Sequence, residues 1–145
     1  MTTVRIAPPA WFWIVAGVLL LWGLIGFAGF VADRLMSPSQ LAQMSDYDRR
    51  FYSERPAWTI WAYGVATVSG LFGAVLLLAR QRLARPVWVV SLIFAILLFG
   101  YILSATDIIA AKGFLGAAGF PIVIAAIGAF QIWFATLANR RGWIG

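Results

Sequence analysis

Four long stretches without a charged residue constrain this chain more than any other feature of its sequence. Asp, Glu, Lys and Arg are absent from Ile6–Ala32, Pro56–Ala79, Pro86–Thr106 and Gly113–Asn139. A bilayer core of ~30 Å is crossed by roughly 20 helical residues that rise ~1.5 Å each, so every stretch is long enough to span. We therefore expect an all-α integral membrane protein, a single four-helix domain over residues 1–145 with spans at about 9–32, 56–79, 86–106 and 113–139.

Composition agrees with a membrane protein. Hydrophobic residues make up 63% of the chain and charged residues only 11%, whereas soluble domains have about 45–50% and about 25%. The net charge of +6 does not indicate nucleic-acid binding, because no tract of Lys and Arg is longer than two residues. The lipid bilayer is the predicted partner, and nucleic acid is not.

The charges divide between the two sides of the predicted bundle. Three of the five connecting segments hold only basic residues, namely Arg5, Arg80, Arg82, Arg85, Arg140 and Arg141. All five acidic residues lie in the other two segments, balanced there by five basic ones. The positive-inside bias then predicts a multi-pass protein of a bacterial inner membrane with both termini cytoplasmic. The first uncharged stretch has 27 residues, so we expect a retained helix, since signal peptides have apolar regions of about 7–15 residues.

Three spans begin with the same pattern of proline followed two residues later by tryptophan. The pattern occurs at Pro9-Ala10-Trp11, Pro56-Ala57-Trp58 and Pro86-Val87-Trp88. Proline suits the first turn of a helix because its missing amide proton would have no partner there. Tryptophan favours the headgroup level of a bilayer. The pattern indicates helix starts at the water boundary.

Small residues form two regular series that favour close helix packing. Transmembrane helices associate where their backbones approach closely, because lipid removes the hydrophobic driving force. The predicted packing positions lie four residues apart, with Pro121 in the missing step of the second series: Ala62, Ala66, Gly70 and Ala74 in span two, and Gly113, Ala117, Ala125 and Ala129 in span four. These series would pack against each other or against a partner chain, or they would reflect only the composition of membrane helices.

Four residues within the spans are candidates for contact with a solute or a partner: Trp22, Tyr63, Tyr101 and Gln131. Gln131 is the one side-chain amide in the interior of a span, and it would either contact a ligand or form an interhelical hydrogen bond. Trp22 lies in the middle of span one, away from the headgroup level, and would stack in a pocket or fill the bundle.

The usual apparatus of catalysis and metal binding is missing from the sequence. Cysteine and histidine are absent, so zinc and haem lose their commonest ligands and a serine would lack its usual base. No carboxylate lies at mid-membrane, whereas proton-driven transporters normally need a buried ionisable group. We therefore predict no enzyme activity, no metal and no cofactor.

The loop over residues 33–55 carries the most elaborate pattern outside the spans. Ser37-Pro38-Ser39-Gln40 reads as a capping box with proline at the first helical position. Apolar side chains then recur on one face of a helix, at Leu41, Met44, Tyr47 and Phe51. This spacing predicts a short amphipathic helix, or two helices broken near Ser45, on the outer membrane surface. It would act as a lid or docking surface, or merely as a connector.

Three segments resemble a family of small four-span bacterial membrane proteins whose members often carry the label of sugar transporters. These segments are PAWFWIVAGVLLLWGLIG at Pro9–Gly26, MSPSQLAQM at Met36–Met44 and RPAWTIWAYGVATVSGLFGAVLLLAR at Arg55–Arg80. The resemblance covers roughly the first two-thirds of the chain. It implies the four-span architecture and suggests sugar transport, but it assigns no role to any residue.

Two functions follow from these observations. The first is a non-catalytic accessory or structural subunit that packs against partner membrane proteins or against itself as a homo-oligomer. The alternative is a small oligomeric transporter of a neutral solute such as a sugar, in which aromatic side chains and Gln131 contact the solute.

Overall fold

The structure, a computed structural model, describes residues 6–145 of the chain. Those residues form six helices: α1 (Ala10–Arg34), α2 (Pro38–Ala42), α3 (Asp46–Glu54), α4 (Ala57–Leu78), α5 (Ala84–Ala105) and α6 (Ile108–Arg140). Helices α1, α4, α5 and α6 are each long and apolar enough to cross a membrane. The predicted all-α four-helix membrane bundle is confirmed. Arg5, one of the basic residues counted above, lies outside the described residues.

The four long helices pack in the order in which they follow along the chain. Close packing joins α1 to α4, α4 to α5 and α5 to α6. We call the end of the bundle that carries α2, α3 and the connection at Asp107 the loop end. The opposite end, which carries the turn at residues 80–83 and the C-terminal residues 141–145, is the tail end.

The helix boundaries lie close to the predicted ones, and α6 carries an additional short helical segment before its predicted start. Pro9 and Pro56 each immediately precede their helix, and Pro86 lies in the first turn of α5. Helix α6 begins at Ile108, before the predicted start of span four, and it is broken at Gly113, whose φ of 76° is outside the helical region. Residues 108–112 thus form a short helical segment before the break, and Lys112 in this segment forms an ion pair with Asp48 at the loop end, with 2.8 Å between nitrogen and oxygen.

Two short helices cover the loop end. The capping box is present: Gln40 N–H donates to Ser37 Oγ at 3.2 Å, and Ser37 N–H donates to Gln40 Oε1 at 2.8 Å. Ser45 starts the second helix by accepting from Asp48 N–H at 3.1 Å. The Arg49 guanidinium donates to the carbonyl oxygens at the end of α2, those of Leu41, Ala42 and Met44. The loop is therefore two helices tied together by one arginine.

The tail end holds the best-buried core of the bundle. Side chains from all four long helices meet there, and the largest fully buried ones are Trp88, Phe12, Phe134 and Leu77. The C-terminal residues Trp143 and Ile144 join this core. Arg80 fixes them, because its guanidinium donates to the carbonyl oxygens of Trp143 at 2.7 Å and Ile6 at 2.9 Å. The tail end is thus closed by packed aromatic rings.

Candidate functional site

A chamber of about 340 Å³ lies inside the bundle, and all four long helices contribute to its wall. Helix α1 contributes Trp22, Gly23, Ile25, Gly26 and Gly29; α4 contributes Tyr63, Ala66, Thr67 and Gly70; α5 contributes Ser91, Leu92, Ala95, Leu98 and Phe99; and α6 contributes Phe120, Ile124, Gly128 and Gln131. None of these lining residues is charged. The chamber therefore offers a mostly apolar environment with a few hydrogen-bonding groups.

Gln131 is the most informative of those groups. Its side chain is only 5% exposed, and no hydrogen bond joins its amide to any residue within 6–145. The interhelical hydrogen bond considered above is thus not formed among these residues. Among the described residues no fully buried side-chain nitrogen or oxygen lacks a hydrogen-bond partner, so the Gln131 amide keeps a little surface open to the chamber, where a ligand can hydrogen-bond to it.

Two other polar side chains of the chamber, Thr67 and Ser91, already form hydrogen bonds within the chain. Thr67 Oγ1 donates to the carbonyl oxygen of Tyr63 at 2.9 Å, and Ser91 Oγ donates to that of Ala66 at 2.6 Å. Their protons are therefore committed to α4, which leaves only their acceptor lone pairs for a ligand. Gln131 offers both a donor and an acceptor to the chamber, and the Tyr63 hydroxyl and the Trp22 indole N–H are further donors in its lining.

Glycines set how closely the helices around the chamber approach. At Gly23 a Cβ would lie 3.0 Å from the backbone Cα of Leu71, so α1 and α4 nearly touch there. At Gly73 a Cβ would lie 2.4 Å from the indole ring of Trp88, whose N–H donates to the Gly70 carbonyl oxygen at 3.0 Å. These contacts hold α1, α4 and α5 together at the tail end of the chamber.

A second cavity, of about 610 Å³, lies at the loop end between α3, α4 and α5. We call it the vestibule. It shares Tyr63, Leu98 and Phe99 with the chamber, so these three side chains lie between the two cavities. Unlike the chamber, the vestibule is lined by charged residues, which include Arg50 and Asp107.

Ion pairs join the helices around the vestibule. Arg55, at the start of α4, forms two hydrogen bonds of 3.1 and 2.7 Å with the Asp33 carboxylate at the end of α1, and both side chains are about four-fifths buried. Arg50 and Asp107 form a longer and more exposed pair, at 3.8 Å. The hydrogen bond from Lys112 holds the pKa of the Asp48 carboxyl below its usual value. The loop helices are thus joined electrostatically to α1 and α6.

We expect the Asp33–Arg55 pair to stabilise the loop end more than any other ion pair of the described chain. Arg55→Met should lower the free energy of unfolding by about 1.5–3 kcal/mol, because it leaves a partly buried carboxylate without its charged donor. Arg50→Met is the matched control, and it should change stability by only ~0–1 kcal/mol, because exposed pairs contribute little. Thermal unfolding of the purified variants measures both. Equal losses would contradict a special role for Arg55.

Three of the four candidate contact residues lie around the chamber. Trp22, Tyr63 and Gln131 line it, from α1, α4 and α6 respectively. The Trp22 ring lies 6.5 Å from the ring of Phe120, measured between centroids. Tyr101 lines the vestibule instead, where its ring packs edge-on against Trp58 at 5.0 Å.

The two series of small residues occupy different environments. In α4, Ala62 and Ala74 are buried, while Ala66 and Gly70 are half-buried, accept hydrogen bonds from α5 side chains and line the chamber. This series therefore packs inside the chain, against α5. In α6, Ala117 is buried and Ala125 half-buried, but Gly113 and Ala129 are exposed. The α6 series does not form one continuous packed face.

Sequence reasoning missed several residues that shape the site. Trp88 was assigned to the water boundary by its proline pattern, yet it is fully buried against Gly73. Leu92 fills the space beside Gly128, where a Cβ would lie 2.7 Å from the leucine Cδ1. Nothing in the sequence marks these pairs, because they join residues of different helices.

Comparisons with known proteins found no match that would assign a function to this chain. No family model, no curated protein and no solved structure matches this chain. Within the described residues, no group of three or more His, Cys, Asp or Glu side chains is placed to hold a metal ion. The architecture and the chamber therefore define the class as a multi-pass four-helix membrane protein with an internal cavity.

Proposed function

We propose that this protein is a non-catalytic membrane protein that binds a small neutral solute in the chamber, as the central site of a small transporter. The observation that carries the proposal is Gln131, a buried amide that faces the chamber without a hydrogen-bond partner among the described residues. An amide that opens onto a mostly apolar chamber has its donor and acceptor groups available to a bound molecule. A solute that hydrogen-bonds to this amide is held at a defined place in the chamber.

The lining favours a neutral molecule with few hydrogen-bonding groups. An ion would lose its hydration without gaining an opposite charge, since no charged side chain lines the chamber. A sugar carries several hydroxyl groups, but Thr67 and Ser91 already donate their protons to the backbone. The remaining hydrogen-bonding side chains, Gln131, Tyr63 and Trp22, are fewer than the hydroxyl groups of a monosaccharide. The chamber therefore supports a compact, mainly apolar solute more strongly than a monosaccharide.

The two ends of the bundle support a route for the solute from the loop end. The vestibule reaches the chamber past Tyr63, Leu98 and Phe99, whereas the tail end is closed by the buried rings of Phe12, Trp88 and Phe134. Because the chamber lies within one chain, binding requires no second copy. Release on the other side would require the tail end to open.

Reporter fusions test the proposed orientation, a bacterial inner membrane with both termini cytoplasmic. Fusions at Arg82 and after Gly145 should report a cytoplasmic location, because the tail-end segments carry the excess of basic residues. A fusion near Gln43 should report an external location. An external signal at Arg82 would reverse the orientation and place the vestibule in the cytoplasm.

Titration calorimetry of the protein in lipid nanodiscs tests the binding proposal. We choose p-cresol as the probe, because it has one hydroxyl on a compact apolar ring, and glucose as the comparison. p-Cresol should bind saturably above the level taken up by empty nanodiscs, and glucose should not. Saturable binding of glucose alone would favour the sugar transporter that the resemblance suggests. Binding of neither would refute the chamber as a solute site.

The second candidate is the accessory subunit or homo-oligomer. The α4 series cannot serve such a partner, because it packs against α5 within the chain. A different observation favours this candidate: an apolar groove runs along the outer face of α4, and Trp61 at its edge is 76% exposed. Native mass spectrometry from mild detergent tests it. A lone monomer in the parent protein would remove this candidate.

A further inference from the structure

Around the chamber, α1 and α6 are the neighbouring helices that pack least closely. Close helix packing closes the other three sides, at α1–α4, α4–α5 and α5–α6. Helices α1 and α6 meet through aromatic side chains instead: Phe12 stacks on Phe134 at 5.7 Å near the tail end, and Trp22 faces Phe120 at 6.5 Å beside the chamber. Side chains alone therefore separate the chamber from the membrane on this side.

Two residues show that the chamber reaches the outer surface there. Ile25 of α1 and Phe120 of α6 both line the chamber, yet they are 67% and 64% exposed. A side chain can have both properties only where the wall is open or one side chain thick. Both residues belong to uncharged parts of their spans, so the exposed surface lies in the apolar layer of the membrane. A molecule dissolved in the bilayer could reach the chamber without passing through water.

We propose that the chamber opens sideways into the bilayer between α1 and α6 and admits a membrane-dissolved amphiphile with a neutral polar head. This inference rests on the proposed solute-binding function and specifies the class of solute. The polar head hydrogen-bonds to Gln131, while the apolar chain extends past Trp22 and Phe120 into the lipid. Such a ligand matches a lining that is apolar except for a few groups. The chamber volume does not limit the length of the ligand's apolar chain, because that chain extends into the lipid.

Photolabelling from within the bilayer tests this inference. The probe is hexadecanol with a diazirine close to its hydroxyl group, incorporated into proteoliposomes that contain the full chain. After illumination, mass spectrometry maps the labelled residues. The lipid-facing residue Leu115, which is 82% exposed, provides an internal positive control, because any amphiphile in the bilayer should label it. We expect additional labelling at the chamber residues Leu92 and Ser91, and excess unlabelled hexadecanol should abolish only that additional labelling.

A pair of variants on α6 tests the position of the opening. Phe120→Ala removes a ring from the opening and should raise the initial rate of chamber labelling several-fold. Phe114→Ala removes a ring of similar exposure (60%, against 64% for Phe120) that does not line the chamber, and it should leave the rate unchanged. Labelling of Leu115 without labelling of Leu92 or Ser91 would overturn the proposed opening. Equal effects of the two variants would also overturn it.

The outcomes separate this inference from the proposed function. If p-cresol binds saturably but hexadecanol never labels the chamber, the chamber binds a solute that enters through the vestibule, and the lateral opening is wrong. If hexadecanol labels the chamber saturably but p-cresol does not bind, the opening stands and the class of solute proposed for calorimetry is wrong.

Discussion

Gly73→Leu is expected to destabilise the bundle strongly. A Cβ at this position would lie 2.4 Å from Cδ1 and Nε1 of Trp88, and the three further carbons of leucine need still more space. The indole cannot move aside easily, because Trp88 is fully buried and its N–H donates to the Gly70 carbonyl oxygen. Overpacking of this kind typically costs ~1–3 kcal/mol and occasionally more, with no compensating hydrophobic gain in lipid.

Gly100→Leu provides the matched control. Gly100 also lies within a transmembrane helix, but a Cβ there would have no neighbour within 4 Å. The expected result is an unfolding temperature like that of the parent for Gly100→Leu, and a much lower one for Gly73→Leu. Gly70→Leu should fall between them, because its Cβ would meet only Ser91 Oγ, at 3.2 Å. A Gly73→Leu protein that melts like the parent would show that α4 and α5 do not pack as described.

Trp143→Ala should produce the other large loss of stability, at the tail end. The Trp143 ring is only 6% exposed and packs edge-on against Trp11 at 5.1 Å and Phe12 at 5.7 Å. Replacement of a buried tryptophan by alanine typically costs about 3–5 kcal/mol. The C-terminal segment would then be held mainly by the hydrogen bonds of Arg80.

Trp61→Ala is the control for this second prediction. Trp61 is 76% exposed on the outer face of α4, so the free energy of unfolding should change little in the monomer. Chemical or thermal denaturation in one detergent compares the two variants directly. Equal stabilities would mean that the C-terminal segment does not close the tail end.

The spans could be predicted because the sequence patterns that determine them are local. A run without charges and a capping box at Ser37 each determine structure over a few turns, and both α1 and α2 formed where expected. The start of α6 could not be read in this way. Residues 108–112 form a short helical segment before the break at Gly113, and Lys112 joins this segment to Asp48, a residue 64 positions earlier in the chain.

The site was only partly predictable for a related reason. Trp22, Tyr63 and Gln131 stood out as unusual residues within apolar helices, and they line one chamber. These three side chains meet only because α1, α4 and α6 are each rotated about their own axes so that the side chains face the same chamber. That rotation is set by contacts such as Gly73 with Trp88 and Gly128 with Leu92, which a regular spacing of small residues does not reveal. Gly70 and Gly73 look alike in the sequence, yet only Gly73 leaves no space for a side chain.

The most direct test of the chamber compares p-cresol with p-xylene, which has the same shape but a methyl group in place of the hydroxyl. In the parent protein, the hydrogen bond to Gln131 should favour p-cresol by about 0.5–1.5 kcal/mol, or roughly 2- to 12-fold in Kd. In Gln131→Leu that preference should disappear, and the unfolding temperature should stay the same or rise, because the amide has no partner among the described residues to lose. Thr136→Val, which removes another polar group of α6 away from the chamber, should keep the preference. A Gln131→Leu protein that still prefers p-cresol would contradict the assignment of Gln131 as the binding group, whether or not its stability has changed.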